Sequence, residues 1–142
     1  MLTSARNRFE GKVSKVIPGA INDEVVITLS TGEEIVATIT KESTAKLGIA
    51  EGRDVLALIK ASFVILLADA DDYVFSTRNV FTGTVTDVRN GKVATEVDIE
   101  TASGLALTST ITVVSAERMN LAKGSKVSAA VKASQVILAV KK

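Results

Sequence analysis

Three sets of polar residues in this chain recur at one fixed spacing. Ser4-Ala5-Arg6-Asn7 returns as Ser76-Thr77-Arg78-Asn79, Thr40 as Thr112, and Lys60-Ala61-Ser62 as Lys132-Ala133-Ser134, each 72 positions later. Chemically the collection is one-sided. Guanidinium, ammonium and main-chain N–H only donate hydrogen bonds, and a hydroxyl can rotate to donate. A pocket made of such groups suits an anion whose oxygens all lack protons. Hydrogen phosphate brings its own O–H, for which these residues supply few acceptors, and a buried unmatched donor costs about 1–3 kcal/mol. Phosphate is therefore disfavoured. Sulfate and larger tetrahedral oxyanions escape that penalty, so among them only cavity size discriminates.

Each of these positions also has a purely structural role to play. Ser and Asn hydrogen-bond their own backbone in turns, Thr in front of a helix caps it, and lysines often end strands. Lys60 leans towards binding. The run before it, Val55-Leu56-Ala57-Leu58-Ile59, is wholly apolar, and neither copy offers an acid at this junction. A cation emerging from buried surroundings needs a partner, which an external anion would supply. Thr40 and Thr112 can serve both roles, because a helix N-terminus presents free N–H groups and partial positive charge.

The elements that position these groups follow from the repeat. Aligning residues 4–70 with 76–142 without a gap gives 26 identities in 67 positions, where unrelated segments would share roughly 4 to 6. Many identities are turn or core residues, such as Gly11/Gly83, Gly32/Gly104, Val25/Val97 and Ile27/Ile99. Residues 1–68 form a first domain, the small acidic stretch 69–73 a linker, and 74–142 a second domain. Within the first, Phe9 to Ile17 reads as a strand. Val25 to Ser30 and Glu34 to Ile39 form a hairpin about Thr31-Gly32. Thr40 to Gly48 makes one short helix, and Asp54 to Lys60 and Phe63 to Leu67 supply the last strands. The chain is thus expected to be all-β: two tandem OB-like small β-barrels, each with one short helix. Domains this small bury only about 60% of their surface, so assembly is expected, in keeping with a mean hydropathy of +0.32.

Composition narrows the function. Hydrophobic residues make up 46% and charged residues 23%, the apolar balance of a folding chain. No apolar run approaches the ~20 residues of a membrane-spanning helix, and no secretion signal opens the chain, so no membrane role and a cytoplasmic location are expected. Cysteine and histidine are absent, which removes thiolate nucleophiles, imidazole bases and nearly every zinc or copper site. The repeated motifs contain no carboxylate base, so no enzyme is expected. With 4% aromatics, no Trp and a net charge of +1, the stacking platform and basic groove of a nucleic-acid-binding barrel are missing.

Taken in order, Ser4-Ala5-Arg6-Asn7, Gly11-x-Val13, Gly19-Ala20-Ile21-Asn22 with Glu24-Val25, Ile39-Thr40 and Lys60-Ala61-Ser62 resemble the molbindins, small cytoplasmic molybdate-binding proteins. The match spans nearly the whole chain twice, as in the two-domain members. The resemblance implies a homotrimer forming a pseudo-hexamer of domains, with oxyanion sites at domain interfaces and molybdate or tungstate as ligand, without any further cofactor or bare metal cation. Ser4, Ala5, Arg6, Lys60, Ala61 and Ser62 would line one site class, with Thr40 reaching in from a neighbouring domain. Ser76, Thr77, Arg78, Lys132, Ala133, Ser134 and Thr112 would form the second. Gly19, Ala20 and Asn22 mark a possible additional oxyanion site, whose counterpart Gly91-Lys92-Val93-Ala94 departs from the pattern. The implied function is storage and buffering of the oxyanion; the alternative is an interaction or regulatory module without that role. The chain opens at the first motif and carries no Gly-x-x-x-x-Gly-Lys-Ser/Thr loop, so neither a complete regulator nor a transporter ATPase is expected.

Overall fold

Strand-rich, β-branched sequence separated by glycine turns builds ten strands in the computed structural model, which describes residues 1–142. The first copy forms β1 (Asn7–Ile17), β2 (Asn22–Leu29), β3 (Glu34–Thr40), helix α1 (Lys41–Leu47), β4 (Asp54–Ile59), a 3-10 turn (Ala61–Phe63) and β5 (Ile65–Leu67). The second repeats this order with β6 (Asn79–Asn90), β7 (Ala94–Thr101), β8 (Ala106–Thr112), α2 (Val113–Arg118), β9 (Lys126–Val131), a 3-10 turn (Ala133–Gln135) and β10 (Ile137–Ala139).

Each long first strand is bent by a bulge at the same place, between Val13 and Lys15 and between Val85 and Asp87. A bulge sharpens the local twist, which lets β1 pair with both β2 and β4 while the sheet curls like an OB barrel. Close packing at the curl explains one repeated glycine. A Cβ on Gly11 would lie 2.7 Å from the Thr28 carbonyl oxygen, and one on Gly83 2.5 Å from that of Glu100. Helix α1 follows its sequence signals: the Thr40 hydroxyl accepts from Ser43 N–H at 3.1 Å, and Gly48 ends the helix in the left-handed region at φ 63°.

The expectation that each copy completes its own barrel needs correction. The sheets run β10-β4-β1-β2-β3 and β5-β9-β6-β7-β8. The last strand of each copy therefore belongs to the sheet of the other, with Ile65 opposite Ala130 and Ile137 opposite Leu58. Two buried asparagines seal the exchange. The Asn7 amide donates to the Thr108 carbonyl at 2.8 Å and accepts from Thr108 N–H at 2.7 Å. Asn79 does the same with Val36, at 2.7 and 2.8 Å. Each side chain thus imitates a strand peptide along the outer edge of β3 or β8. One continuous core of 23 buried residues, from Val13 through Val85 to Leu138, runs through both copies.

Candidate functional site

Antiparallel register brings the first and last repeated motifs together. Asn7 pairs with Ile59 and Asn79 with Val131, so Arg6 and Lys60 lie side by side at the end of one sheet, and Arg78 and Lys132 at the equivalent end of the other. Beyond each lysine the chain tightens into a 3-10 turn, closed by Phe63 N–H donating to the Lys60 carbonyl and Gln135 N–H to that of Lys132, both at 2.9 Å. Ala61 is buried and Ala133 half-buried, while Ser62 and Ser134 face solvent.

Because the strands are exchanged, each turn packs against the other copy: Ala61–Phe63 against β8, and Ala133–Gln135 against β3. Within one chain, Ser62 therefore meets Thr112 and not Thr40. Both border an open hollow of about 430 Å³ with Ile65, Val93, Ser115 and Met119 around it. Thr40 stands correspondingly at the end of the strand that receives the Ala133–Gln135 turn. Both threonine hydroxyls are engaged in capping, each donating to a serine Oγ at 2.9 Å, Ser43 or Ser115.

The remaining motif residues have varied settings. Ser4 and Ser76 are exposed. The Ala5 N–H donates to Thr3 Oγ1 at 3.1 Å. Thr77, which replaces Ala5, turns its hydroxyl to the Val131 carbonyl at 2.7 Å, so its extra bulk is absorbed by the backbone. Lys60 has no carboxylate partner and lies 5.8 Å from the centroid of the Phe63 ring, within cation–π range; Lys132 has Gln135 at the equivalent place.

The arginines do have partners, which the motif alone does not reveal. Arg6 pairs with Glu96 and Arg78 with Glu24, each at 2.7 Å. Each pair joins one copy to the other. The two acids are themselves related by the 72-residue shift, and that identity was the available signal; no local spacing links either to its arginine. An exposed ion pair of this kind contributes about 0–1 kcal/mol, so an incoming oxyanion can compete for the guanidinium.

At the possible additional site, Ala20 and Asn22 are exposed, but Gly19 N–H already donates to Asp23 Oδ1 at 3.2 Å. Asp23 is buried and paired with Lys41 at 2.9 Å. An acid there works against a second anion. In the other copy Thr95 replaces Asp23, and Gly91 N–H donates to the Ala94 carbonyl at 2.9 Å.

The lysine bond, with a smaller contribution from Thr44, holds the Asp23 carboxyl below the usual carboxylate range. Arg89 does so for Asp98, and Arg89 followed by Arg6 for Glu96. A depressed folded-state pKa favours the folded state above the unfolded value of about 4, and that contribution disappears as pH falls through the folded value. Thermal melting should accordingly vary little from these groups between pH 5 and 8 and drop progressively below about pH 4. Asp23→Asn should flatten that acid limb, as read by melts across the pH series.

Comparison with known proteins bears on what this arrangement serves. The TOBE domain model matches residues 3–66 and again 76–138. The chain belongs to the TOBE domain family. Its two TOBE copies are similar to the molybdenum-pterin-binding protein MopA of Rhodobacter capsulatus, with 41% identity over 140 residues, covering 99% of this chain and 53% of that protein. They are also similar to the molybdenum transport protein ModE of Herbaspirillum seropedicae, at 36% identity over 140 residues and 52% of its length. The chain spans about half the length of the curated relatives it matches. Among solved structures, the cytoplasmic molybdate-binding protein ModG, in a form with molybdate bound, matches with a TM-score of 0.95 and 41% identity, covering 99% of this chain and 100% of that one. The tandem OB-like architecture read from the repeat is that of ModG.

Proposed function

We propose that the tandem TOBE chain binds molybdate as an intact oxyanion, stores and buffers it in the cytoplasm, and does no chemistry on it. The observation that carries this reading is the end-to-end correspondence with a molybdate-bound structure. Tungstate, with the same charge and shape, is a second ligand of this class. The donor-only motifs fit the reading: Arg6 beside Lys60 and Arg78 beside Lys132 form two clusters, one on each of the exchanged sheets. Each is completed by Ser4, Ala5, Ala61 and Ser62, or by Ser76, Thr77, Ala133 and Ser134, with a capping threonine from another domain. ModG is described as cytoplasmic, and no helix here is long and apolar enough to cross a membrane.

Calorimetry with the full chain tests the proposal. Molybdate or tungstate should bind in the submicromolar range, with little heat from phosphate. Absence of heat from both metal oxyanions would sink the reading and leave the alternative of a TOBE interaction or regulatory module.

Assembly as a homotrimer belongs to the same proposal. Exposed apolar residues recur in matched pairs, Ile21 with Val93 (77% and 80% exposed) and Ile65 with Ile137 (59% and 64%). A repeated apolar surface of this kind is suited to cover by neighbouring chains, and sites at domain interfaces require such neighbours. Light scattering should give a mass near three chains of 14.9 kDa; a monomer at micromolar concentration would contradict the interface model.

A further inference from the structure

Glu24 and Glu96 are equivalent in the repeat, yet their surroundings differ. Glu24 is ion-paired with Arg78 alone. Glu96 gives one carboxylate oxygen to Arg6, at 2.7 Å, and the other to Arg89, whose Nη2 and Nε donate at 3.0 and 3.3 Å. Arg89 is itself clamped by Asp87 at 2.7 Å and by Asp98 at 2.6 and 3.1 Å. Asp98 is fixed in turn by the Thr108 hydroxyl at 2.8 Å. None of this network exists in the first copy, where Lys15, Ile17 and Val26 occupy the places of Asp87, Arg89 and Asp98.

The difference matters once an oxyanion competes for the arginines. When Arg6 turns from Glu96 to a ligand, Glu96 keeps its bonds to Arg89 through the other oxygen. When Arg78 turns from Glu24, that carboxylate is left with no cation close to the incoming anion. We infer that Arg89, which lies outside the oxyanion sites, sets an affinity difference between them by releasing Arg6, so that the Arg6–Lys60 class fills before the Arg78–Lys132 class. The inference rests on the oxyanion-binding reading. Arg89 is a positioning residue: it acts on the ligand only through Glu96 and Arg6. Arg89 holds Glu96 through two bonds where Arg6 uses one, so Arg6 is the partner that an incoming anion more readily draws away.

The test is calorimetric titration of the full chain with molybdate on two single-class backgrounds. Arg78→Ala leaves the Arg6 class and Arg6→Ala leaves the Arg78 class. The Arg6 class should bind roughly three- to fivefold more tightly, the scale set by an exposed ion pair. Adding Arg89→Ile, which installs the residue of the first copy, should weaken the Arg6 class by about the same factor, because Glu96 then has only Arg6 and three acids lack their shared cation. Adding Glu24→Gln to the Arg6→Ala background should instead tighten the Arg78 class, and this variant tests the idea even if Arg89→Ile folds poorly. Equal affinities on the two backgrounds, or no response to either added substitution, would overturn the inference while leaving oxyanion binding intact. No heat from the unsubstituted chain would overturn both.

Discussion

Replacing Asn79 with Ala is expected to lower the unfolding free energy by about 2–4 kcal/mol, since it strands a buried N–H and a buried carbonyl that each cost about 1–3 kcal/mol unpaired. Both belong to Val36, which lies in the other copy, bonded to the amide at 2.8 and 2.7 Å. The side chain is 1% exposed, so water has little means of replacing it. Melting should move down by on the order of 10 °C, with Asn7→Ala behaving in the same way through Thr108. A shift below about 2 °C in either variant would mean that the two sheets are held together by the exchanged strands and the shared core, and that the amides contribute nothing beyond these.

The second large effect concerns ligand affinity. Arg6→Ala or Lys60→Ala should weaken one class of molybdate site by about 10- to 150-fold, the loss of a hydrogen bond to a charged group worth about 1.5–3 kcal/mol. Stability should change by no more than about 0.5 kcal/mol, as both side chains are exposed at strand ends and outside the core. Calorimetry paired with a melt on the same sample separates the two readouts. Unchanged affinity together with a clearly lowered melting temperature would assign these repeated cations to structure.

Much of this molecule is legible in its residues. The β2–β3 hairpin is announced by β-branched runs on either side of Thr31-Gly32, and α1 by Thr40 at one end and Gly48 at the other, because these are local preferences that tertiary contacts did not override. The grouping of Arg6 with Lys60 was implied by the family resemblance, and the pairing of β1 with β4 is what sets them next to each other. The strand exchange left no comparable trace. Ile65-Leu66 and Ile137-Leu138 are the same dipeptide, so either strand suits either sheet, and pattern alone cannot separate pairing within a copy from pairing between copies. The partners of the arginines were hidden for a related reason. Arg6 and Glu96 lie 90 positions apart, beyond any helical or hairpin spacing, and only the approach of one copy to the other makes them neighbours. Asn7 read as a turn former; its amide instead takes the place of a strand peptide at a sheet edge.

The exchange of β5 and β10 bears on what the acidic stretch between the copies does. Each half of the polypeptide holds a strand that completes the sheet of the other, so residues 69–73 need not hold the halves together once folding is complete; backbone hydrogen bonds and a shared interior do that. The tether acts earlier. It keeps each unpaired strand near its receiving sheet at an effective concentration in the millimolar range, so that the reciprocal insertion is found within one chain before a strand from another molecule can occupy the gap. A short, charged tether of this kind favours insertion within one chain over pairing with a strand of another molecule.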